Sequence, residues 1–381
     1  MIMATDNKNK VLNVPNLRFP EFKEAWKDSN IGKCFDLYSG NTPSRMEKEH
    51  FIGDVNWITS GELKEHYIGD TKERISEKAA ADNNLRILPV GTFVMAIYGL
   101  EAEGVRGTCS ITVKTSTISQ ACMAFTPKSN VSNEFLYSWY KKHGNKIGIR
   151  YAQGTKQQNL SYDIIEKFPI RYPSIEEQEK LNTFISLLDS RIATQNKIIE
   201  QLQSLIKGIV VSITTETPNT RIDKCLVCHS STLQENHIED FGDFPVYGAN
   251  GICGYTVNAD FKEPAILIVK DGSGVGNVRF VNGKYSVIGT QNILTPQNRF
   301  CLKYIFYCLQ AFNFMPYKTG MAIPHIYFKD YGKSKIYCPN FEQQVKIASQ
   351  IDLIESKIEI ETQLLNKYEE QKKFLLSNMF I

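Results

Sequence analysis

Residues 173–215 read PSIEEQEKLNTFISLLDSRIATQNKIIEQLQSLIKGIVVSITT. Isoleucine recurs at every seventh position: Ile185, Ile192, Ile199, Ile206 and Ile213. A companion seam runs through Leu181, Leu188, Gln195, Leu202 and Ile209. These are the a and d positions of a heptad repeat, with one polar residue among the d positions. The spacing predicts one long helix whose apolar stripe needs a partner helix.

The partner lies in the same chain, 166 residues on. There the a positions become Ile351, Ile358, Leu365 and Lys372, and the d positions Ile347, Ile354, Glu361, Tyr368 and Leu375. Glu361 matches Gln195, the polar d residue of the first copy. The starts match as well: Pro173-Ser174-Ile175-Glu176-Glu177-Gln178 against Pro339-Asn340-Phe341-Glu342-Gln343-Gln344. Ser174 and Asn340 are expected N-caps, and Glu177 and Gln343 sit at N3, where a side chain reaches back to the cap amide. An intramolecular antiparallel pair is therefore expected, with Gln195 meeting Glu361 and fixing the register.

The offset persists upstream. Tyr151 and Gly154 align with Tyr317 and Gly320, Leu160 with Ile326, and the aromatic run at 135–140 with residues 301–306. A constant offset over about 70 residues is an internal duplication. The expected layout is a globular domain at 11–172, a long helix at 173–216, a second domain at 217–338 and a second helix at 339–381. Both domains read as mixed α+β. Strand-like runs at 91–98, 108–113, 264–269 and 278–281 are punctuated by Gly, Asn and Asp. The strand-rich portions of the two repeats barely align.

Composition is that of an ordinary soluble protein: 42% apolar and 22% charged, with a net charge of +3 over 381 residues. No apolar run approaches the ~20 residues of a membrane span. The polar start at 1–10 reads as an irregular lead-in without a signal peptide. Nine cysteines without a framework suggest free thiols in a reducing cytoplasm. One basic run stands out: Lys141, Lys142, Lys146, Arg150, Lys156, Lys167 and Arg171 against Asp163 and Glu166.

Several stretches invite a chemical reading. Cys225-Leu226-Val227-Cys228-His229 has the C-x-x-C-H pattern, yet a zinc site needs further ligands nearby, and Cys253 stands alone. The segment Lys270-Asp271-Gly272-Ser273-Gly274-Val275-Gly276 has glycine spacing unlike a dinucleotide fingerprint and reads as a tight hairpin. A Gly/Ser hairpin tip flanked by Lys270 and Arg279 is suited to close approach to a DNA backbone. The first domain carries a comparable glycine-rich segment at 98–107. The loop Gly154-Thr155-Lys156-Gln157-Gln158-Asn159-Leu160 offers amides that pair with adenine and a lysine for guanine or phosphate. Its repeat partner at 320–326 keeps little of that polarity. P-loop, G-x-S-x-G, H-E-x-x-H and paired acidic nuclease motifs, and the Asn/Asp-Pro-Pro-aromatic motif of an amino-group methyltransferase, are all missing from the sequence. The chain reads as a binder rather than a catalyst.

Together these features resemble the specificity subunit of type I restriction–modification enzymes, over nearly the whole chain. The start Val14-Pro15-Asn16-Leu17-Arg18-Phe19-Pro20-Glu21-Phe22, the loop at 154–160 and the two P-x-x-x-E-Q helix starts carry the resemblance. Departures are the second loop, which lacks the glutamine and asparagine, and Gln343 in place of a second-copy glutamate.

The resemblance implies two target recognition domains, each reading one half of a split double-stranded DNA target. The two long helices would be an antiparallel spacer that docks methylation subunits. Two methylation subunits, binding S-adenosylmethionine, would complete an adenine methyltransferase, and restriction subunits using ATP and Mg²⁺ would add cleavage. The chain itself would hold no cofactor or metal. Expected DNA-binding residues are Lys156, Gln157, Gln158 and Asn159 in the first domain, and Lys270, Ser273, Arg279, Lys318 and His325 in the second. The amides would contact base edges and most of the basic residues phosphates. The seam is expected to comprise Ile185, Leu188, Ile192, Gln195, Ile199 and Leu202 against Ile351, Ile354, Ile358, Glu361 and Leu365. The alternative is a coiled-coil scaffold that binds protein and has no DNA specificity.

Overall fold

The computed structural model describes residues 2–3, 13–102, 104–154, 158–234, 236, 238–297, 299–321 and 323–381. Most of the polar lead-in, and the predicted contacts Lys156 and Gln157, lie outside the described residues.

The heptad stretches form two long helices, Ile175–Thr214 and Phe341–Met379, of 40 and 39 residues. At ~1.5 Å per residue each is about 60 Å long. Both start as their caps dictate. The Glu177 amide donates to Ser174 Oγ at 3.4 Å, and the Gln343 amide donates to Asn340 Oδ1 at 2.9 Å. Glu177 departs from the capping box. Its carboxylate accepts Arg18 Nε at 2.8 Å, Arg18 Nη2 at 2.7 Å and Trp26 Nε1 at 3.4 Å. A buried carboxylate is stabilised more by a two-pronged guanidinium than by one neutral amide. This contact ties the segment around Arg18 to the root of the first long helix.

All of the expected a and d residues, from Leu181 to Ile213 and from Ile347 to Leu375, are buried or half-buried. The chain divides into two compact units, Met1–Thr194 with Leu365–Ile381, and Gln195–Leu364. The division cuts across both long helices, so each unit holds one globular domain and a segment of each helix. In the first unit Asp189 ion-pairs with Lys372, which explains a lysine at an a position. In the second, Gln195 bonds to Glu361. Lower numbers on one helix face higher numbers on the other, as an antiparallel pair requires.

The first unit centres on a five-stranded sheet, ordered Phe35–Ser39, Cys122–Pro127, Phe93–Ala96, Cys109–Thr112, Tyr67–Ile68. Neighbours are antiparallel except the last pair. A smaller sheet pairs Ser116–Ile118 parallel with Val55–Ile58, whose other edge meets Arg74–Ile75. The aromatic run becomes the helix Asn133–Tyr151, which lays Phe135, Leu136, Trp139 and Tyr140 into the core. Leu181, Ile185, Leu375, Met379 and Phe380 of the helix pair close the same core, with the Phe380 ring 5.4 Å from Phe135. Each such side chain contributes about 1.5–3 kcal/mol when fully buried.

The second unit repeats this plan. Its main sheet is ordered Leu226–Ser230, Gln291–Pro296, Ala265–Val269, Val278–Val281, all antiparallel. Its small sheet pairs Ser286–Val287 parallel with Phe244–Gly248, flanked by Gly251–Thr256. Tyr304, Ile305, Tyr307 and Leu309 of the helix Leu302–Gln310 enter the core with Ile206, Ile213, Ile347 and Ile351. The duplication therefore covers the sheets too, although their sequences barely align.

The structure also corrects the phase of the aromatic helices. They are capped at Ser132 and Cys301, a difference of 169 rather than 166 residues. The cause is Gln178 and Gln344, whose Oε1 atoms accept the amides of Ser132 at 2.9 Å and Cys301 at 3.0 Å. These contacts put the two helix starts at equivalent places. The second helix has 9 residues against 19 in the first and gives way to a 3-10 turn at Met315–Tyr317.

Candidate nucleic-acid interface

In both units an inner strand of the main sheet ends beside the loop at 154–160 or its repeat partner at 320–326. Each loop is closed at its base by a reciprocal pair of main-chain bonds. Gln153 and Asn159 exchange two at 2.9 Å, and Thr319 and His325 exchange two at 2.9 and 2.8 Å. Gly154 and Gly320, at the same place in each turn, have φ of +115° and +86°. Only glycine adopts that backbone freely. The hairpins dock identically: the Leu160 amide donates to Ile97 O and the Ile326 amide to Lys270 O, both at 2.9 Å. Ile97 and Lys270 in turn donate to Ala121 O and Thr290 O, again at 2.9 Å. Backbone hydrogen bonding alone thus carries one loop onto one strand end, twice.

Beside each hairpin lies a glycine-rich turn. In the first unit it spans residues 98–107, with positive φ at Gly99, Gly104 and Gly107. Leu100 N–H donates to Gln158 O at 3.0 Å. In the second unit the turn joins Ala265–Val269 to Val278–Val281, with positive φ at Gly272 and Gly276. Gly272 N–H donates to Pro324 O at 2.9 Å. The hairpin expected at 270–276 is what forms.

The expected contacts are placed unequally. Gln158 is half-buried and already engaged: its main-chain N–H donates to Glu101 Oε2 at 2.7 Å, and its side-chain Oε1 accepts Arg106 Nη2 at 2.8 Å. Asn159 is half-buried, and its Oδ1 has no hydrogen-bond partner among the described residues. Ser273 and Lys318 are exposed, Ser273 on the glycine turn and Lys318 one residue past the 3-10 turn. Lys270 is half-buried at the strand end. The Arg279 guanidinium lies 6.0 Å from the Tyr247 ring centre and against Gly251, where a Cβ would come within 2.8 Å of Nη1. His325 is half-buried, with its ring 5.4 Å from Tyr327. Sequence reasoning missed Arg106 and Glu101 as parts of the site. Arg106 is the basic residue of the first glycine-rich segment, and that was its only local signal.

The basic run divides in the same way. Lys142 Nζ donates to Ser377 O at 2.8 Å and to Phe380 O, anchoring the end of the second long helix. Burial, and then repulsion from Lys146, hold its pKa below the usual lysine value. Arg171 ion-pairs with Asp28 at 2.7 Å. Lys146 and Arg150 line a cleft of about 360 Å³ with Trp139 and Phe168. The C-x-x-C-H stretch does not gather into a ligand cluster. Cys225 Sγ faces Cys338 Sγ at 3.8 Å, whereas His229 Nε2 meets Thr295 Oγ1 at 2.8 Å.

Two copies of one α+β domain, each with a glycine-turned loop on a sheet end and each packed on the paired heptad helices, define a two-headed recognition protein. The family model described as the type I restriction modification DNA specificity domain matches residues 23–204 and 227–370. The chain belongs to this family, whose members are recognition subunits of type I restriction–modification systems and not catalysts.

The EcoprrI specificity subunit of Escherichia coli is 22% identical over 363 residues, 84% of this chain and 86% of that protein. The MjaIX specificity subunit of Methanocaldococcus jannaschii is 30% identical over 197 residues, 48% of this chain and 44% of that protein. In that match the chain spans less than half of the relative's length. The crystal structure of a type I restriction–modification S subunit from M. genitalium superposes with a TM-score of 0.64 at 17% identity, covering 97% of this chain and 99% of that one. This likeness establishes the shared fold. No helix among the described residues is long and apolar enough to cross a membrane.

Proposed function

We propose that this chain reads a split DNA target, one half-site per globular domain, as the specificity subunit of a cytoplasmic type I restriction–modification complex. The observation that carries the reading is the duplicated loop. One backbone arrangement recurs with different side chains, Gln158 and Asn159 in one copy and Pro324 and His325 in the other. Equal scaffolds with unequal chemistry fit two different half-sites.

The paired long helices act as the spacer and as the docking surface for two methylation subunits, which supply S-adenosylmethionine. Restriction subunits bring ATP and Mg²⁺. One solved relative belongs to a study of complex assembly of the type I system, which supports reading the chain as a member of an assembly.

The test is to express the chain with its methylation subunits and map modified adenines in genomic DNA by single-molecule sequencing. A split motif with an unread gap is expected. Methylation without sequence preference, or none, overturns the proposal. A salt titration adds a second arm: DNA affinity should fall steeply with salt, as phosphate contacts require. Flat, weak binding favours a protein scaffold.

A further inference from the structure

The first reading head contains a group that its loop motif does not announce. Arg106 closes the glycine-rich turn just before the strand Cys109–Thr112. Its stem crosses the aromatic helix at Gly148, where a Cβ would lie 2.4 Å from Arg106 Cγ and 2.8 Å from Cδ. Only a glycine leaves room for it. Beyond that crossing, Nη2 reaches Gln158 Oε1 at 2.8 Å. The Nε–H is closed off from solvent and meets no acceptor among the described residues, and neither does the neighbouring buried acceptor Asn159 Oδ1 a donor. Buried polar atoms are nearly always paired, so these two leave hydrogen-bonding capacity unused beside Gln158 among the described residues.

Resting on the split-target reading, we infer that Arg106 is a base-reading residue of the first domain and that Gln158 positions it. A bidentate pair with adenine needs both the oxygen and the nitrogen of a glutamine amide. One of the two lone pairs of the Gln158 oxygen is taken by Arg106, which turns the amide toward the guanidinium, and its main-chain N–H and C=O are taken by Glu101 and Leu100. Gln158 is thus a strut. Arginine carries five N–H donors in a planar fork and has spent one on the strut. The acceptor pattern that matches the remainder is that of guanine, O6 with N7. Asn159 Oδ1, an acceptor, suits an adjacent amino group. In the second domain Lys270 stands at the matching strand end and His325 on the hairpin, so that head reads by other chemistry.

The experiment is methylome sequencing of the complex of the full chain with its methylation subunits. A wild-type complex that yields no split motif sinks the functional reading itself, before any variant is considered. Given a motif, Arg106→Gln should lower preference for guanine at one position of one half-site by about tenfold or more, leaving the other half-site unchanged. An unchanged motif, or equal decay of both halves, overturns the assignment. Gln158→Glu keeps the acceptor and should keep the motif. Gln158→Leu removes it and should blur the same position as Arg106→Gln. Where Arg106→Gln fails to assemble, the Gln158 pair decides: identical motifs from the Glu and Leu variants overturn the inference.

Discussion

Gln195 and Glu361 bond across the paired long helices, with Gln195 Nε2 donating to the Glu361 main-chain carbonyl at 3.1 Å and to its carboxylate. They are 166 residues apart, which is the repeat offset, so each meets its own repeat mate. In an antiparallel pair, facing residue numbers rise on one helix as they fall on the other. Only one level can then bring repeat mates together. A polar pair buried at that level penalises every slipped register, because slippage would set both groups against isoleucine or leucine.

Stability and register should therefore separate on mutation. Gln195→Leu alone leaves the Glu361 carboxylate with Lys357 but without its cross-helix donor, and should lower the thermal midpoint. Gln195→Leu with Glu361→Leu removes both polar groups and should melt above the single variant, at or above wild type. Circular dichroism melts check the order. A double variant that melts below the single one contradicts the register role.

Gln178 and Gln344 make an unequal pair of joints. Gln178 Nε2 donates to Asn130 O at 2.8 Å and Pro173 O at 3.1 Å, while Oε1 accepts the Ser132 amide. Among the described residues the Gln344 side chain makes two bonds, to Pro339 O at 2.8 Å and from the Cys301 amide. Truncation strands buried main-chain groups. Gln178→Ala should cost about 3 kcal/mol and Gln344→Ala about 2 kcal/mol by denaturant unfolding. The reverse order would show that the hydrogen-bond count does not govern the joint.

How much of this was legible follows from the range of each interaction. The helices were readable because a heptad is local and repeats many times, and the N-caps because Ser174 and Asn340 act on amides three residues away. The shared sheet topology was not. A short buried strand needs only apolar residues, so Phe93–Ala96 and Ala265–Val269 do the same job with no residue-by-residue likeness. Side-chain partners distant in sequence were hidden for a similar reason. Nothing near Glu177 announces Arg18, 159 residues away, and nothing near Gln158 announces Arg106, 52 residues away. The loop motif marked the place, but it could not show that the Gln158 side chain meets Arg106.

The first unit carries a titrating joint. His66 is stacked between Tyr67 and Tyr137, with ring centres 4.1 and 3.8 Å away. Its Nε2 meets Glu134 at 2.9 Å, and Nδ1 faces Asp189 at 3.8 Å, with Lys372 on the other Asp189 oxygen. Burial alone would lower the His66 pKa, but the two carboxylates outweigh it and the pKa is raised above 6.5. Burial opposes ionisation of Asp189 too, yet His66 and Lys372 hold its pKa below 3.8. The signs follow by linkage. A raised histidine stabilises fully below pH ~6.5, and that contribution is lost as pH rises through its folded pKa. A depressed aspartate stabilises above pH ~3.8, and that is lost only in stronger acid. Thermal melts should therefore show the midpoint of this unit falling from pH 6 to 9. His66→Phe, which keeps the stacking, should flatten the slope. A slope that survives the substitution assigns it to another group.

On the proposed reading, the helix pair sets the distance between the two heads. One heptad inserted into each long helix, at equivalent levels, adds about 10 Å at ~1.5 Å per residue. B-DNA rises ~3.4 Å per base pair, so the unread gap should lengthen by about three base pairs. The inserted turns also rotate the heads, because seven residues of a supercoiled helix and three base pairs of DNA do not turn through equal angles. Affinity should therefore fall even while both half-sites stay the same. Methylome sequencing reads the gap and both half-sites in one experiment. A gap that stays constant, or a half-site whose bases change, would place the ruler somewhere other than in the helices that carry Gln195 and Glu361.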